Sequence, residues 1–196
     1  MKKLMLIAAM MVASVCANAQ MFVKPMVGGT LATVTDNDEG KFKPGIVAGG
    51  EFGYFIADNF AVTAGALVSM QGTSIKDTDD TKDYSTTLTY LNIPLLANFY
   101  IIPGLAVKAG IQPGYMLSAK TKNKVFEDGK WEEYDHSGTD AYEKLDISIP
   151  LGASYEIGDF VIDARYNLGL TKIFDAEHAK SKNSVIMLTL GYKIPL

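Results

Sequence analysis

Apolar residues along most of this chain recur at every second position, the repeat of a β-strand whose two faces meet different surroundings. The pattern is cleanest over residues 145–157, where Leu145, Ile147, Ile149, Leu151, Ala153, Tyr155 and Ile157 alternate with Asp146, Ser148, Pro150, Gly152, Ser154 and Glu156. It also closes the chain, with Ile186, Leu188, Leu190, Tyr192, Ile194 and Leu196 on one face and Val185, Met187, Thr189, Gly191, Lys193 and Pro195 on the other. A central strand of an α/β sheet is apolar on both sides, so the mixed second face excludes that architecture. Helices are excluded too, because the recurrences at three and four positions that they need are missing.

Carried along the chain, the alternation predicts eight strands, over residues 21–34, 44–56, 60–71, 86–101, 105–118, 145–157, 160–171 and 185–196. In the first, Val23, Val27 and Leu31 face outward and Lys24 inward. Pro94 inside the fourth predicts a bulge or local break, since proline cannot donate to a ladder. Connections alternate in length. Asp58-Asn59, Ile102-Pro103-Gly104 and Gly158-Asp159 read as tight turns, and residues 36–43, 72–85, 119–142 and 175–184 as long polar loops. Strands of roughly 10–14 residues, tilted by about 45°, span an apolar band of ~25 Å. Even strand number and long/short alternation of loops then predict an all-β fold, an eight-stranded antiparallel up-and-down transmembrane β-barrel with both termini on the periplasmic side. The rival is a soluble, lipocalin-like ligand carrier, whose apolar face would point inward. Many of the 18 glycines fall on the less apolar face, where a narrow barrel needs space for larger side chains from neighbouring strands.

The first residues carry an address. Lys2 and Lys3 form a basic segment, Leu4 to Val15 an apolar one and Ala17-Asn18-Ala19 a small-residue cleavage site, which together describe a secretory signal peptide cleaved after Ala19. A lipoprotein reading of Cys16 is weaker, because Val15 is larger than the glycine or alanine usual before such a cysteine. Cys16 is the only cysteine, so the exported chain has neither disulfides nor thiolate metal sites. The formal net charge of -4 becomes more negative once the two leader lysines are removed, which argues against nucleic acid as a partner. No later apolar run reaches the ~18 residues of a helical membrane span.

The stretch Leu88 to Tyr100, Leu-Thr-Tyr-Leu-Asn-Ile-Pro-Leu-Leu-Ala-Asn-Phe-Tyr, resembles the Tyr-Leu-x-Ile-Pro-Leu-Leu stretch of PorT-like outer-membrane β-barrel proteins. The leader ending Ala-x-Ala-Gln, the opening Val-Lys-Pro-Met-Val-Gly-Gly and the segment Gly-Leu-Ala-Val-Lys-Ala-Gly-Ile-Gln-Pro-Gly-Tyr from Gly104 to Tyr115 are similar to that family as well. The resemblance spans the mature chain and rests on strand signatures. It implies an eight-stranded barrel in the outer membrane of a Gram-negative bacterium. It implies no substrate, since the family is functionally diverse and its named member is linked to secretion.

Candidate chemistry falls in two places. The inward faces hold Lys24, Glu51, Lys108, Asp146, Glu156, Asp163, Arg165 and Lys193, four of each sign, which predicts paired ions filling the lumen. A charged pore is the alternative, but eight strands enclose only room for side chains, and a selective pore favours one sign. Outside the barrel, the predicted loop 119–142 gathers Phe126, Trp131, Tyr134, His136 and Tyr142 among acidic residues. Phe126, Trp131 and Tyr134 are the candidates for external recognition, with Trp131, the only tryptophan, as the single best anchor. Packing over the barrel mouth explains the same aromatics equally well. Asp77, Asp79, Asp80 and Asp83 offer carboxylates of the kind calcium takes, without the glycine and terminal glutamate of an EF-hand loop. A solvated acidic loop is the plainer reading. His136 and His178 lie in different loops, Ser137 is only a sequence neighbour of His136, and no nucleophile elbow, phosphate loop or paired-histidine motif is present. The expectation is therefore a monomeric, non-enzymatic barrel without cofactor or metal, whose partners are outer-membrane lipid and an extracellular or envelope protein.

Overall fold

The computed structural model describes residues 21–35, 40–75, 81–127, 130–139, 142–172 and 181–196. Every element among them is a strand. In chain order these are β1 (Met21–Val34), β2 (Gly40–Ala57), β3 (Phe60–Ile75), β4 (Thr81–Asn92), β5 (Leu95–Ile102), β6 (Leu105–Glu127), β7 (Lys130–Ser137), β8 (Leu145–Ile157), β9 (Phe160–Gly169), β10 (Asn183–Tyr192) and β11 (Ile194–Pro195). All pairings are antiparallel. The sheet runs from β10 through β9, β8, β6, β4, β3, β2 and β1, and β1 pairs back onto β10, which closes it into a ring. β5 continues the wall position of β4, β11 that of β10, and β7 pairs with β6 outside the ring. Eight wall positions result, the predicted up-and-down barrel. The predicted leader, residues 1–19, and Gln20 after it lie outside the described residues.

Alternation of side chains decides which way each strand faces. Ile186, Leu188, Leu190 and Tyr192 are exposed while Val185, Met187, Thr189 and Gly191 are buried, and the same inversion repeats around the ring. Large apolar side chains stand exposed at every wall position, Val62, Val68 and Met70 on β3 and leucine, isoleucine or phenylalanine on most others, which is what a lipid-facing surface requires. Inside, the buried set is rich in lysine, glutamate, aspartate, arginine, asparagine, glutamine, serine and threonine. The lipocalin-like alternative predicts the reverse arrangement. Aromatic residues gather near the short turns, where Phe160 and Tyr192 meet edge to face at 5.2 Å and Tyr192 donates to Asp159 at 3.0 Å. Such girdles mark the level of lipid headgroups.

The tight turns fall at Asp58-Asn59, Pro103-Gly104 and Gly158-Asp159, as expected. Proline followed by Gly104 at φ 84° is the pairing a type II turn selects, and Gly158 at φ 60° supplies the positive dihedral of a primed hairpin turn. Pro94 does interrupt its strand, dividing β4 from β5. The ladder bridges the gap: Ile93 N donates to Pro113 O at 2.8 Å and Gly65 N to Pro94 O at 2.9 Å.

Two predicted loops are corrected. Much of 72–85 is strand, with Gly72 opposite Thr87, Thr73 opposite Thr86 and Ser74 opposite Ser85. The segment 119–142 is mostly a hairpin, because β6 continues to Glu127 and β7 returns along it from Lys130. β2 likewise begins at Gly40, before the predicted start at residue 44. Above the membrane neither face of a strand meets lipid, so threonine-, serine- and lysine-rich stretches can pair as strands with no apolar alternation to reveal them. Asp77, Asp79 and Asp80 lie outside the described residues, and of Asp83 only the backbone, within β4, is described.

An exposed apolar wall on every side predicts that the folded protein leaves membranes only with detergent. In electrophoresis the folded barrel is expected to migrate apart from the heat-denatured chain. A detergent-free soluble monomer would contradict the outward apolar face.

Candidate functional site

The lumen is built in tiers that follow from counting residues up from the short turns. Lys24, Lys108 and Asp163 are each the fourth residue of their strand, in β1, β6 and β9, so they arrive at similar height. Glu51 stands directly opposite Lys24, and Arg165 is two positions beyond Asp163 on the same face of β9. These five side chains form one buried cluster. Lys24 Nζ lies 2.8 Å from Glu51 Oε2 and 3.5 Å from Asp163 Oδ2. Lys108 Nζ contacts Asp163 Oδ2 more closely. Arg165 reaches Asp163 Oδ1 through Nε at 2.6 Å, Asp163 Oδ2 through Nη2 at 2.8 Å and Glu51 Oε1 through Nη2 at 2.6 Å. Both Glu51 oxygens stand at ion-pair distance yet outside good hydrogen-bond angles, so their attraction is chiefly charge to charge.

Space for this cluster comes from glycine on adjoining strands. A β-carbon on Gly65 would stand 2.7 Å from Glu51 Cγ, one on Gly191 2.9 Å from Lys24 Cγ, and one on Gly152 3.0 Å from Arg165 Cγ. The first two are closer than real β-carbons come and the third is at the edge of that range, so three of the five charged stems lie over bare backbone. The inward glycines foreseen from composition are thus tied to particular charged partners.

Below the cluster, at the short-turn end, Lys193 makes a separate pair with Glu156, at 2.9 Å to Oε1 and 2.8 Å to Oε2. Tyr100 donates to the same Oε1 at 2.7 Å. The Lys193 ammonium also sits 4.8 Å from the ring centres of Phe22 and Phe55 and 5.6 Å from that of Tyr100, in cation–π contact. A hollow of about 490 Å³ adjoins this group, lined by Asp58, Asn59, Tyr100, Pro103, Glu156 and Lys193 among others. A second, of about 390 Å³, is an apolar dent on the lipid-facing wall between Phe52, Val62, Ala64, Leu95 and Ala97.

Above the cluster come an apolar group of Met26, Val47, Leu67 and Met187 and then a set of amides and hydroxyls. Asn92 donates to Ser69 at 2.8 Å, Gln71 to Ser69 at 2.9 Å and Gln112 to Ser148 at 3.4 Å. Asp146 accepts from Thr171 at 2.6 Å and from Asn183 at 3.1 Å. Val34, Leu88, Tyr90, Met116 and Ala119, with Tyr142 against them, occupy the long-loop end.

The eight predicted lumen residues are therefore all inward-facing, but they do not pair one to one. Five share the cluster, Glu156 and Lys193 pair by themselves, and Asp146 is held by neutral donors, with no ion pair to it among the described residues. Overall sign balance in a sequence cannot reveal this partition, which depends on height within the barrel. Counting from the turns would have revealed the shared height of Lys24, Lys108 and Asp163. Phe22, Phe55 and Tyr100 as partners of Lys193 had no comparable signal. Of the external candidates, Phe126 is paired with Trp131 and Asn123 with Tyr134 along the β6–β7 hairpin; their side chains lie outside the described set. His136 and Ser137 are exposed and His178 lies outside the described residues. No group of three or more metal-ligating His, Cys, Asp or Glu side chains occurs among the described residues.

A closed ring of strands with lipid-facing hydrocarbon and an ionic interior defines an integral outer-membrane barrel. The chain belongs to the outer membrane protein beta-barrel domain family, whose model matches residues 17–175. Among solved structures, it is similar to Ail, the attachment invasion locus protein of Yersinia pestis, at 17% identity, over 89% of this chain and 99% of that one, with a TM-score of 0.53. It is also similar to Neisserial surface protein A, at 12% identity, over 90% of this chain and 99% of that one, with a TM-score of 0.49. At these identities the likeness is one of fold. A comparison with curated protein sequences finds no match.

Removing one member of a buried ionic group strands the others, at a cost of about 3–5 kcal/mol. Asp163→Ala, which leaves three cations around one carboxylate, is expected to lower stability by about that much in urea unfolding of the micelle-bound barrel. Gly65→Val should cost about 1–3 kcal/mol through overpacking, because the added side chain invades the volume of Glu51.

Proposed function

We propose that this protein is a non-enzymatic outer-membrane barrel with a side-chain-filled lumen, which meets an extracellular or envelope protein through the strands it raises above the membrane. The observation that carries this reading is the β6–β7 hairpin. β8 pairs with β6 only from Leu105 to Tyr115, whereas β7 pairs with β6 from Lys120 to Glu127. Closing neighbouring wall strands needs no such projection, and extra ordered structure at a loop end is where barrels and other scaffolds place recognition. β7 is hydrogen-bonded as a strand on its β6 side alone among the described residues. Such an edge suits addition of a further strand from a partner.

Filling of the lumen is inferred from its buried tiers, which leave ionic, apolar and amide side chains in mutual contact along the axis, as an eight-stranded barrel's dimensions favour. The non-enzymatic reading rests on those contacts too: the cluster acids and bases are committed to one another. The PorT-like resemblance supports a second reading, a secretion-associated barrel or narrow pore, and the hollow beside Lys193 gives that reading a periplasmic surface.

In planar bilayers the purified protein is expected to give no stable large conductance; reproducible open-channel currents would favour the pore reading. Deleting residues 123–139 should leave the heat-modifiable barrel intact and abolish capture of the surface partner from intact cells, with Trp131→Ala weakening it. Unchanged binding, adhesion and secretion after deletion would remove the recognition role.

A further inference from the structure

We propose that the lumen binds a small monovalent anion of the halide class beside Arg165, on the inner wall made by β9 and β10. The first observation is charge. Lys24, Lys108 and Arg165 bring three positive groups, Glu51 and Asp163 two negative ones, and all five side chains are at most 5% exposed. Neighbouring ions do not repair the excess, because Lys193 and Glu156 neutralise each other and Asp146 stands at the opposite end of the barrel, held by Thr171 and Asn183. A single uncompensated positive charge is left in a low-dielectric interior, where an unpaired charge is strongly disfavoured.

The second observation is independent of the charge count. Arg165 Nη1, both amide atoms of Asn167 and Thr189 Oγ1 are buried with no protein hydrogen-bond partner. These atoms belong to one wall: Arg165 and Asn167 alternate on the inner face of β9, and Thr189 faces Asp163 across the β9–β10 pairing. Nearly all buried polar groups in folded proteins are satisfied, so the idle Arg165 Nη1, with the Asn167 amide two positions along β9 or Thr189 one step to the other side, points to an occupant beside the guanidinium. Arg165 spends Nε and Nη2 on Asp163 and Glu51, which leaves Nη1 as its one unpartnered nitrogen. Guanidinium, amide and hydroxyl can each donate to a halide. Met187 lies opposite Arg165 in register and belongs to the apolar group above the cluster. One excess charge beside an apolar layer suits a monovalent, weakly hydrated ion and disfavours sulfate or phosphate.

Bromide is the probe. Crystals of the detergent-solubilised protein grown with sodium bromide are expected to show one anomalous peak within hydrogen-bonding distance of Arg165 Nη1. Thermal unfolding in micelles should be several degrees higher in bromide than in gluconate at equal ionic strength. Lys108→Met removes the excess charge and should abolish that difference; Glu51→Gln raises the excess to two and should lower the half-saturating bromide concentration about tenfold. Water alone at Arg165, bromide only at adventitious surface positions, or equal unfolding temperatures in the two salts would overturn the proposal. So would a Lys108→Met barrel that keeps the wild-type bromide response. If either variant does not yield a heat-modifiable barrel, the wild-type bromide map decides by itself.

Discussion

In hydrocarbon no backbone amide or carbonyl can be left to water, and this requirement governs everything else in the molecule. A sheet meets it only by having no edge within the membrane, so β1 must find β10, which it does from Met26 through Val34 against Gly191 through Asn183. β11 extends the same seam to Phe22 and Val23. The start of β1 and the end of β11 are thereby brought side by side at the short-turn end, and Leu196 N donates to Met21 O at 2.9 Å. The proline break at residue 94 obeys the same rule, since the gap is spanned by bonds to Pro113 and from Gly65.

Closure to eight wall positions makes the interior narrow, and narrowness dictates its composition. Lipid takes the hydrocarbon, so the polar alternate of each strand must be satisfied within the lumen. Ionic groups gain each other's company only if their stems fit, and Gly65, Gly152 and Gly191 make that room. The same logic places Phe22 over Gly53, whose absent side chain leaves space for the ring. Charge, aromatic and glycine positions are thus one packing solution, and a change at a glycine acts on an ion pair one strand away.

Beyond the membrane the constraint relaxes. Water can satisfy an edge, so strands of the ring continue upward to different heights and β7 can attach to β6 without joining the wall. This freedom is what allows one outer surface to differ from another on a common barrel, and it is why the family assignment determines the wall and says little about recognition.

The wall was legible in the sequence because lipid on one side and polar groups on the other impose a strict period of two. The bounds of β1 and β8, the turns at Asp58, Pro103 and Gly158 and the break at Pro94 all follow from that period and from the dihedral demands of proline and glycine. The inward direction of Lys24, Glu51, Lys108, Asp163 and Arg165 followed too. Their grouping did not, since it depends on strand tilt and on contacts across 139 residues, as between Lys24 and Asp163. The long-loop end was read as loops for the complementary reason: where strands continue past the lipid, no one-sided hydrophobic period need be written into the chain. Periodicity records the surroundings of a strand and therefore determined the membrane-spanning part; only the tertiary structure could decide which charges meet and how far the strands continue beyond it.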